Sequence, residues 1–181
     1  MRQGWNGTIR MSVWDAMLMI AEFPSDMPPI HHMFQTAELL RRAGASEWMQ
    51  VVGLIHDLGL VLAYVRGRVA DGTTSQVMWG LTGETKVVEP GPDGGGLDAS
   101  LVSYGHDEYL FQVLTRPPGV RLPPMALRVI RYHSLKGWHT RGQYRELENT
   151  DDREARPIVR RFAEHDRYDR EWEPVGALHA K

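Results

Sequence analysis

Residues 48–63 read WMQVVGLIHDLGLVLA, and this stretch decides how the chain folds. Its residues are almost all apolar, apart from the adjacent ionisable pair His56 and Asp57. The apolar run from Val51 to Val65 is too short to span a bilayer. Burying two neighbouring ionisable groups is costly unless they are hydrogen-bonded, paired or bound to a metal. We therefore predict a buried helix whose polar pair serves a metal site.

Helical spacing of apolar residues extends to both sides of this stretch. Gly44 is a natural residue for the left-handed position after a helix, and Ser46 is a candidate N-cap for the helix that contains the pair. Gly59 is placed to end or bend that helix. No internal repeat and no convincing run of strands is found. The sequence predicts one all-α domain over residues 1–181, with helices at about 11–23, 31–43, from 47 onward, 99–114, 124–134 and 154–168.

Residues 66–100 differ from the rest of the chain. Gly, Thr, Pro and Asp dominate there, as in DGTTSQ and EPGPDGGG, and no period is sustained. A loop of this length in a compact domain usually has a function. We expect it to form a lid or one wall of a substrate pocket.

Composition limits the classes of function. The 181 residues include no cysteine and carry a formal net charge of -2. A disulfide framework and a thiolate metal site are therefore excluded, and no basic surface is available for nucleic acid. The N-terminal residues lack the layout of a signal peptide, so a cytoplasmic enzyme without membrane or nucleic-acid partners is expected. The oligomeric state is left open.

Five predicted segments carry a His or Asp where an apolar or small residue would otherwise be expected. Nitrogen and oxygen ligands without sulfur suit iron, manganese or zinc, and spacing alone does not choose between these metals. For each residue alone an ordinary explanation exists: a core histidine bonded to a carbonyl, a surface position for His106, or a solvated helix face for Asp166. Together they are enough for two metal ions, and a bridging carboxylate would let adjacent residues serve one site. The candidate ligands are His32, His56, Asp57, His106, His133 and Asp166.

Five phrases, in order, resemble the myo-inositol oxygenase family. They are HHMFQTAELLRRAG, WMQVVGLIHDLGLVLA, SYGHDEYLFQVL, LPPMALRVIRYHSLKGWHT and RFAEHDRYDR, spanning about residues 30–170 apart from the divergent loop at 66–96. That family has a helical HD-domain fold with a mixed-valent diiron centre. It cleaves a carbon–carbon bond of myo-inositol with dioxygen to give glucuronate.

The resemblance implies a role for each candidate ligand. His32, His56 and Asp166 would bind one iron, His106 and His133 would bind the other, and Asp57 would bridge them. The cofactors implied are two iron ions, Fe²⁺ and Fe³⁺, with dioxygen as co-substrate.

The resemblance also points to four substrate-binding positions: Ser134, Leu60, Asp26 and Arg170. Leu60 stands where the family has a lysine that contacts substrate oxygens, and Arg170 replaces another lysine. An apolar side chain cannot replace that donor. We therefore expect oxygenase chemistry on a small metal-chelating molecule, which is inositol or another polyol, an amino alcohol or a phosphonate.

Two other classes of function stay open. An HD-type metal-dependent phosphohydrolase would need basic residues to hold phosphate, and the candidates are Arg41, Arg42, Arg131 and Lys136. A non-catalytic metal-binding module is the third possibility. His139, in the sequence WHT, is a candidate for a residue that contacts the metal ligands and not the metal itself.

Overall fold

The computed structural model describes residues 11–22, 29–61, 88–91, 94–102, 105–116, 120–167 and 169. Within these residues the fold is all-α apart from one pair of two-residue strands, so the predicted fold class is confirmed. None of the helices described combines the length and apolar character needed to cross a membrane. The helices are α1 (Val13–Ala21), α2 (Pro29–Arg42), α3 (Glu47–Ile55), α4 (His106–Thr115), α5 (Pro124–Tyr132), α6 (Lys136–His139) and α7 (Thr150–His165).

The first three helices follow the predicted pattern closely. Helix α1 starts with a capping box, in which Ser12 accepts from the Asp15 N–H and Asp15 accepts from the Ser12 N–H. Gly44 lies in the left-handed region, at φ +67°, after α2. Ser46 does stand at the N-cap of α3, but its side chain makes no cap hydrogen bond; only its carbonyl accepts, from Met49 and Gln50.

The prediction of a helix from residue 99 is wrong. Leu97–Ala99 form a 3₁₀ turn, and strand β2 (Leu101–Val102) pairs antiparallel with β1 (Val88–Glu89). Gly105 is still extended, and α4 starts only after it. Local sequence preference favoured a helix here, but antiparallel pairing with β1 gives Leu101 and Val102 an extended backbone instead. Most of the predicted lid at 66–100, namely residues 66–87 and 92–93, lies outside the described residues.

Helix α7 starts earlier than predicted. Asn149 caps it, accepting from the Asp152 N–H, while Asp152 accepts from the Asn149 N–H. The buried Asp152 carboxylate also accepts from the Leu97 N–H at 2.8 Å and from Arg128 at 2.8 Å. One carboxylate therefore joins the start of α7 to the turn at 97–99 and to α5.

The helices pack so that His56 and Asp57 lie at the centre. Helix α2 runs along α3, α4 packs on α5, and α7 contacts both α5 and α2. Gly53 permits the close contact of α2 with α3, because a Cβ there would meet Ala37 backbone atoms at 3.0 Å. Gly59, in the 3₁₀ turn Leu58–Leu60 that follows α3, lies directly against the His106 carbonyl. The turn after α3 and the start of α4 are therefore in backbone contact.

Gly59→Ala should destabilise the protein strongly. Its Cβ would overlap the carbonyl oxygen of His106, a backbone atom that cannot rotate away. We expect a loss of about 3 kcal/mol or more in the free energy of unfolding, measured by urea denaturation.

Gly94→Ala is the control, because no atom lies within 4 Å of the point that a Cβ would occupy there, while its φ is +79°. Only backbone strain, about 1 kcal/mol, is expected there. Equal losses for the two variants would contradict the proposed overlap at Gly59.

Candidate metal centre

All six residues predicted as ligands lie together inside the helical bundle. Their ligand atoms form three overlapping groups, each with members within 4.8 Å of one another. Asp57 belongs to two of these groups, which otherwise share no residue. The groups are His32, His56 and Asp57; His56, His133 and Asp166; and Asp57, His106 and His133.

Most of these side chains are carried by helix ends. His106 is the first residue of α4, while His56, His133 and Asp166 are the C-caps of α3, α5 and α7. Only His32 lies inside a helix. A residue at a helix end can leave the helical conformation. Side chains at the ends of different helices can therefore meet at one point.

Asp57 leaves the helical conformation immediately after His56. Its backbone, at φ −95° and ψ 4°, lies in the bridge region, where many active-site residues are found. On a continuous helix, His56 and Asp57 would point about 100° apart. The break at Asp57 removes that constraint, so both side chains face the same site.

The two carboxylate oxygens of Asp57 face different histidines. Oδ1 lies 3.2 Å from His106 Nε2 and 3.7 Å from His133 Nε2. Oδ2 lies 3.5 Å from His56 Nε2 and 3.9 Å from His32 Nε2. Asp57 thus stands between two pairs of imidazoles.

Asp166 approaches the His32 and His56 side of the cluster. Its Oδ1 is 2.7 Å from His32 Nε2 and 3.4 Å from His56 Nε2. Its backbone, at φ −78° and ψ 73°, has already left α7. The charged run AEHDRYDRE therefore contains one carboxylate directed into the protein, although its neighbours Glu164 and Arg167 are exposed.

Two of the histidines are oriented in the same way. His56 Nδ1 bonds to the Gly53 carbonyl at 2.9 Å, and His133 Nδ1 bonds to the Ile130 carbonyl at 2.8 Å. A carbonyl can only accept, so Nδ1 carries the proton in each ring. In the neutral form, Nε2 then directs its lone pair at the cluster.

The carboxylates control the charge of His56. Burial lowers the pKa of His56, but Asp57 and Asp166 outweigh burial and raise this pKa to about 9. Burial raises the pKa of Asp57, yet the neighbouring imidazoles hold it well below its usual range. Burial lowers the pKa of His133. Without a metal, His56 is therefore protonated at neutral pH.

The donor set fits a metal ion. His56 is fully buried, and its Nε2 has no hydrogen-bond partner although carboxylate oxygens lie at 3.4 and 3.5 Å. A cation between these atoms satisfies the nitrogen and both carboxylates at once. The cluster offers imidazole nitrogen and carboxylate oxygen, which suit iron, manganese or zinc.

Phe162 forms an apolar wall beside the cluster. Its ring meets His56 edge-on at 5.4 Å between centroids and His133 at 6.2 Å. The residue is fully buried and lies one helical turn before Asp166 on α7. Sequence reasoning missed Phe162, although its spacing from Asp166 was the available signal.

A second layer of polar contacts holds His106 and His133 in place. Ser134, next to His133, donates to Asp107, next to His106, at 2.6 Å between buried atoms. Arg131 donates to Glu108 at 2.7 Å, also buried, and joins the same two helices. A surface position was the ordinary alternative for His106 in the sequence, because Asp107 and Glu108 follow it directly. All three are buried, because these acids bond inward to α5.

Of the four predicted substrate positions, Leu60 and Ser134 lie within the described residues. Leu60 is 2% exposed and belongs to the hydrophobic core. The Ser134 hydroxyl proton is directed at Asp107. Asp26 and Arg170 lie outside the described residues. His139 does support the cluster from behind, since its Nε2 contacts the His133 carbonyl at 3.0 Å.

The four candidates for a phosphate clamp do not converge. Arg41 and Arg42 both pair with Glu38 on the exposed side of α2. Arg131 is buried against Glu108, and Lys136 is exposed at the start of α6. No observation among the described residues favours phosphate as the ligand.

The helical fold and the buried His/Asp cluster define a candidate metal-binding protein, and comparison with known proteins identifies the family. The sequence profile of the family described as Myo-inositol oxygenase matches residues 1–93 and 81–180. The chain belongs to the myo-inositol oxygenase family.

Individual relatives are named inositol oxygenases. The chain is 34% identical to inositol oxygenase of Danio rerio over 174 residues, covering 79% of this chain and 59% of the relative. It is 32% identical to a probable inositol oxygenase of Oryza sativa subsp. japonica over 201 residues, covering 91% and 63%. The human inositol oxygenase is 33% identical, with coverage of 79% and 58%. The chain thus spans about three fifths of the length of these relatives.

Ser134→Ala should destabilise the protein by about 2 kcal/mol, because it removes a donor from a buried carboxylate. The free energy of unfolding, from urea denaturation, measures this loss. Ser100→Ala is the matched control: Ser100 is also buried but donates to the uncharged Gly96 carbonyl at 3.0 Å. We expect about 1 kcal/mol there, and a smaller loss for Ser134→Ala than for Ser100→Ala would refute the charged hydrogen bond.

Metal binding at pH 7 should release about one proton per chain from His56, whose pKa in the metal-free protein is about 9. The release should disappear as the pH rises through 9, and the affinity should increase up to that point. Anaerobic calorimetric titration with Fe²⁺ in two buffers of different ionisation enthalpy measures the proton count. A heat independent of the buffer at pH 7 would show that His56 is already neutral.

Proposed function

We propose that this chain is a non-haem diiron oxygenase that uses dioxygen to oxidise a small metal-chelating substrate or cleave one of its carbon–carbon bonds. Family membership and relatives named inositol oxygenase support the reaction class. The observation that carries the proposal is the position of Asp57, whose two oxygens face two different pairs of histidines. That arrangement is expected of a carboxylate that bridges two ions.

In this proposal the cluster divides into two sides. His32, His56 and Asp166 would hold one iron, His106 and His133 would hold the other, and Asp57 would lie between them. His133 also lies within reach of His56 and Asp166, so the division rests on the family resemblance together with the two faces of Asp57. A bound iron pair supplies a Lewis acid for the substrate and an electron for dioxygen.

The protein's own residues would do three things in the reaction. The backbone carbonyls of Gly53 and Ile130 fix two imidazoles with Nε2 directed inward. Asp57 places negative charge between the two sides. Phe162 and the surrounding core exclude water from one side of the cluster, which protects a reactive centre from side reactions.

Inositol or another polyol is the first substrate to consider, because the relatives are named for inositol. Amino alcohols and phosphonates are the alternatives, since they also chelate a metal through neighbouring heteroatoms. Leu60 supplies no hydrogen-bond donor to a hydroxylated substrate, because its side chain is apolar and packed in the core.

The decisive experiment measures iron content and the electron paramagnetic resonance spectrum of partly oxidised protein, prepared under reducing, iron-rich conditions. We expect two irons per chain and a coupled mixed-valent signal. Oxygen consumption with inositols, amino alcohols and phosphonates then identifies the substrate class. One iron or none, with manganese or zinc instead, would contradict the diiron proposal.

Asp57→Ala should lose iron and the coupled signal together, because it removes the bridge. Asp151→Ala is the control, since Asp151 is exposed in the first turn of α7 and lies outside the cluster. Two irons retained in Asp57→Ala would exclude the bridging role.

A further inference from the structure

The position of Asp166 is not fixed by its own helix alone. Its backbone has left α7, and two bonds still tie this point to the helix: the Asp166 N–H donates to the Phe162 carbonyl at 3.1 Å, and the Arg167 N–H donates to the His165 carbonyl at 3.0 Å. Contacts that hold the chain just beyond Asp166 therefore contribute to where its carboxylate points.

Gln35 holds the chain at that place. Its Nε2 donates to the Asp169 carbonyl at 3.3 Å, and its Oε1 accepts from the Asp169 N–H at 3.2 Å. One side-chain amide thus pairs with both backbone groups of one residue. A primary amide can do this because it offers a donor and an acceptor in one planar group.

Helix α2 contributes both contacts to this segment. His32 lies one turn before Gln35 and contacts Asp166 at 2.7 Å. Gln35 is 1% exposed, so its amide is removed from water and depends on Asp169 for its hydrogen bonds. A buried amide with both groups satisfied resists rotation, since any other orientation leaves polar atoms unpaired.

We infer that Gln35 is a positioning residue that sets the orientation of Asp166 as a metal ligand. The inference rests on the proposed metal centre and extends it to a residue outside the ligand set. Such outer contacts commonly change metal affinity by about 10–100-fold when they are removed.

Gln35→Met tests the inference, because methionine keeps the length of the side chain and removes both hydrogen bonds. The metal-free protein is titrated anaerobically with Fe²⁺ alone. We expect wild type to bind two ions, and Gln35→Met to bind one with unchanged affinity and the other at least tenfold more weakly. Two ions bound with wild-type affinity in Gln35→Met would overturn the inference.

Gln50→Met is the matched control. Gln50 is also a helix glutamine that donates to a backbone carbonyl, that of Ala45 at 2.8 Å, but it lies outside the cluster. A purely structural role for Gln35 would lower thermal stability and leave the metal count unchanged, as expected for Gln50→Met. If Gln35→Met does not fold by circular dichroism, Gln35→Asn, whose amide is one methylene too short to reach, is judged by the same criterion.

Co²⁺ gives a second readout. Loss of the Asp166 ligand should lower the coordination number of one ion and strengthen its visible absorption in Gln35→Met, but not in Gln50→Met.

If wild type binds a single ion, the diiron proposal fails. The Gln35 inference is then tested on that single ion, whose binding affinity should fall to the same extent in Gln35→Met and in Asp166→Asn. Unequal losses of affinity would overturn the inference. A wild type that binds no ion overturns both.

Discussion

The negative charge of Asp57, buried among four imidazoles, is the constraint on which the rest of the structure depends. An unpaired buried carboxylate is strongly destabilising. Asp57 is 9% exposed, so the fold must bring compensating groups to it from distant parts of the chain. Helices α2, α4 and α5 each contribute one histidine, and α3 contributes another at its end. The bundle is arranged so that these four helices meet at Asp57.

Hydrogen bonds between residues that neighbour the candidate ligands hold the helices in place around Asp57. Asp107 and Ser134 join the residues next to two of the histidines, and Arg131 with Glu108 joins the same helices again. Arg131 also reaches the Asp98 carbonyl at 3.3 Å, and Tyr132 donates to the Asp98 carboxylate at 2.7 Å. The described end of the 66–100 segment is thereby connected to the helix that carries His133. A change in that segment can reach the site through α5.

Much of the fold and the set of clustered residues could be predicted from sequence, and the failures have physical causes. Apolar periodicity located α2 and α5 because one face of each is buried. The start of α4 was misplaced because β2 pairs with Val88, a contact that local sequence does not reveal. Asp107, directly after His106, and Gln35, one helical turn after His32, were missed because polar residues are typical of solvated surface. Their importance depends on Ser134 and Asp169, whose proximity only the tertiary structure establishes.

Gly59 has a consequence for how related sequences diverge. Its neighbour is the carbonyl of His106, a group that every amino acid carries. No substitution elsewhere can make room for a larger residue at position 59, so evolution has no compensating partner to select. We therefore expect no correlated changes between positions 59 and 106 among relatives of this chain, although Gly59 lies against the His106 carbonyl. Methods that infer proximity from covariation would not detect this contact.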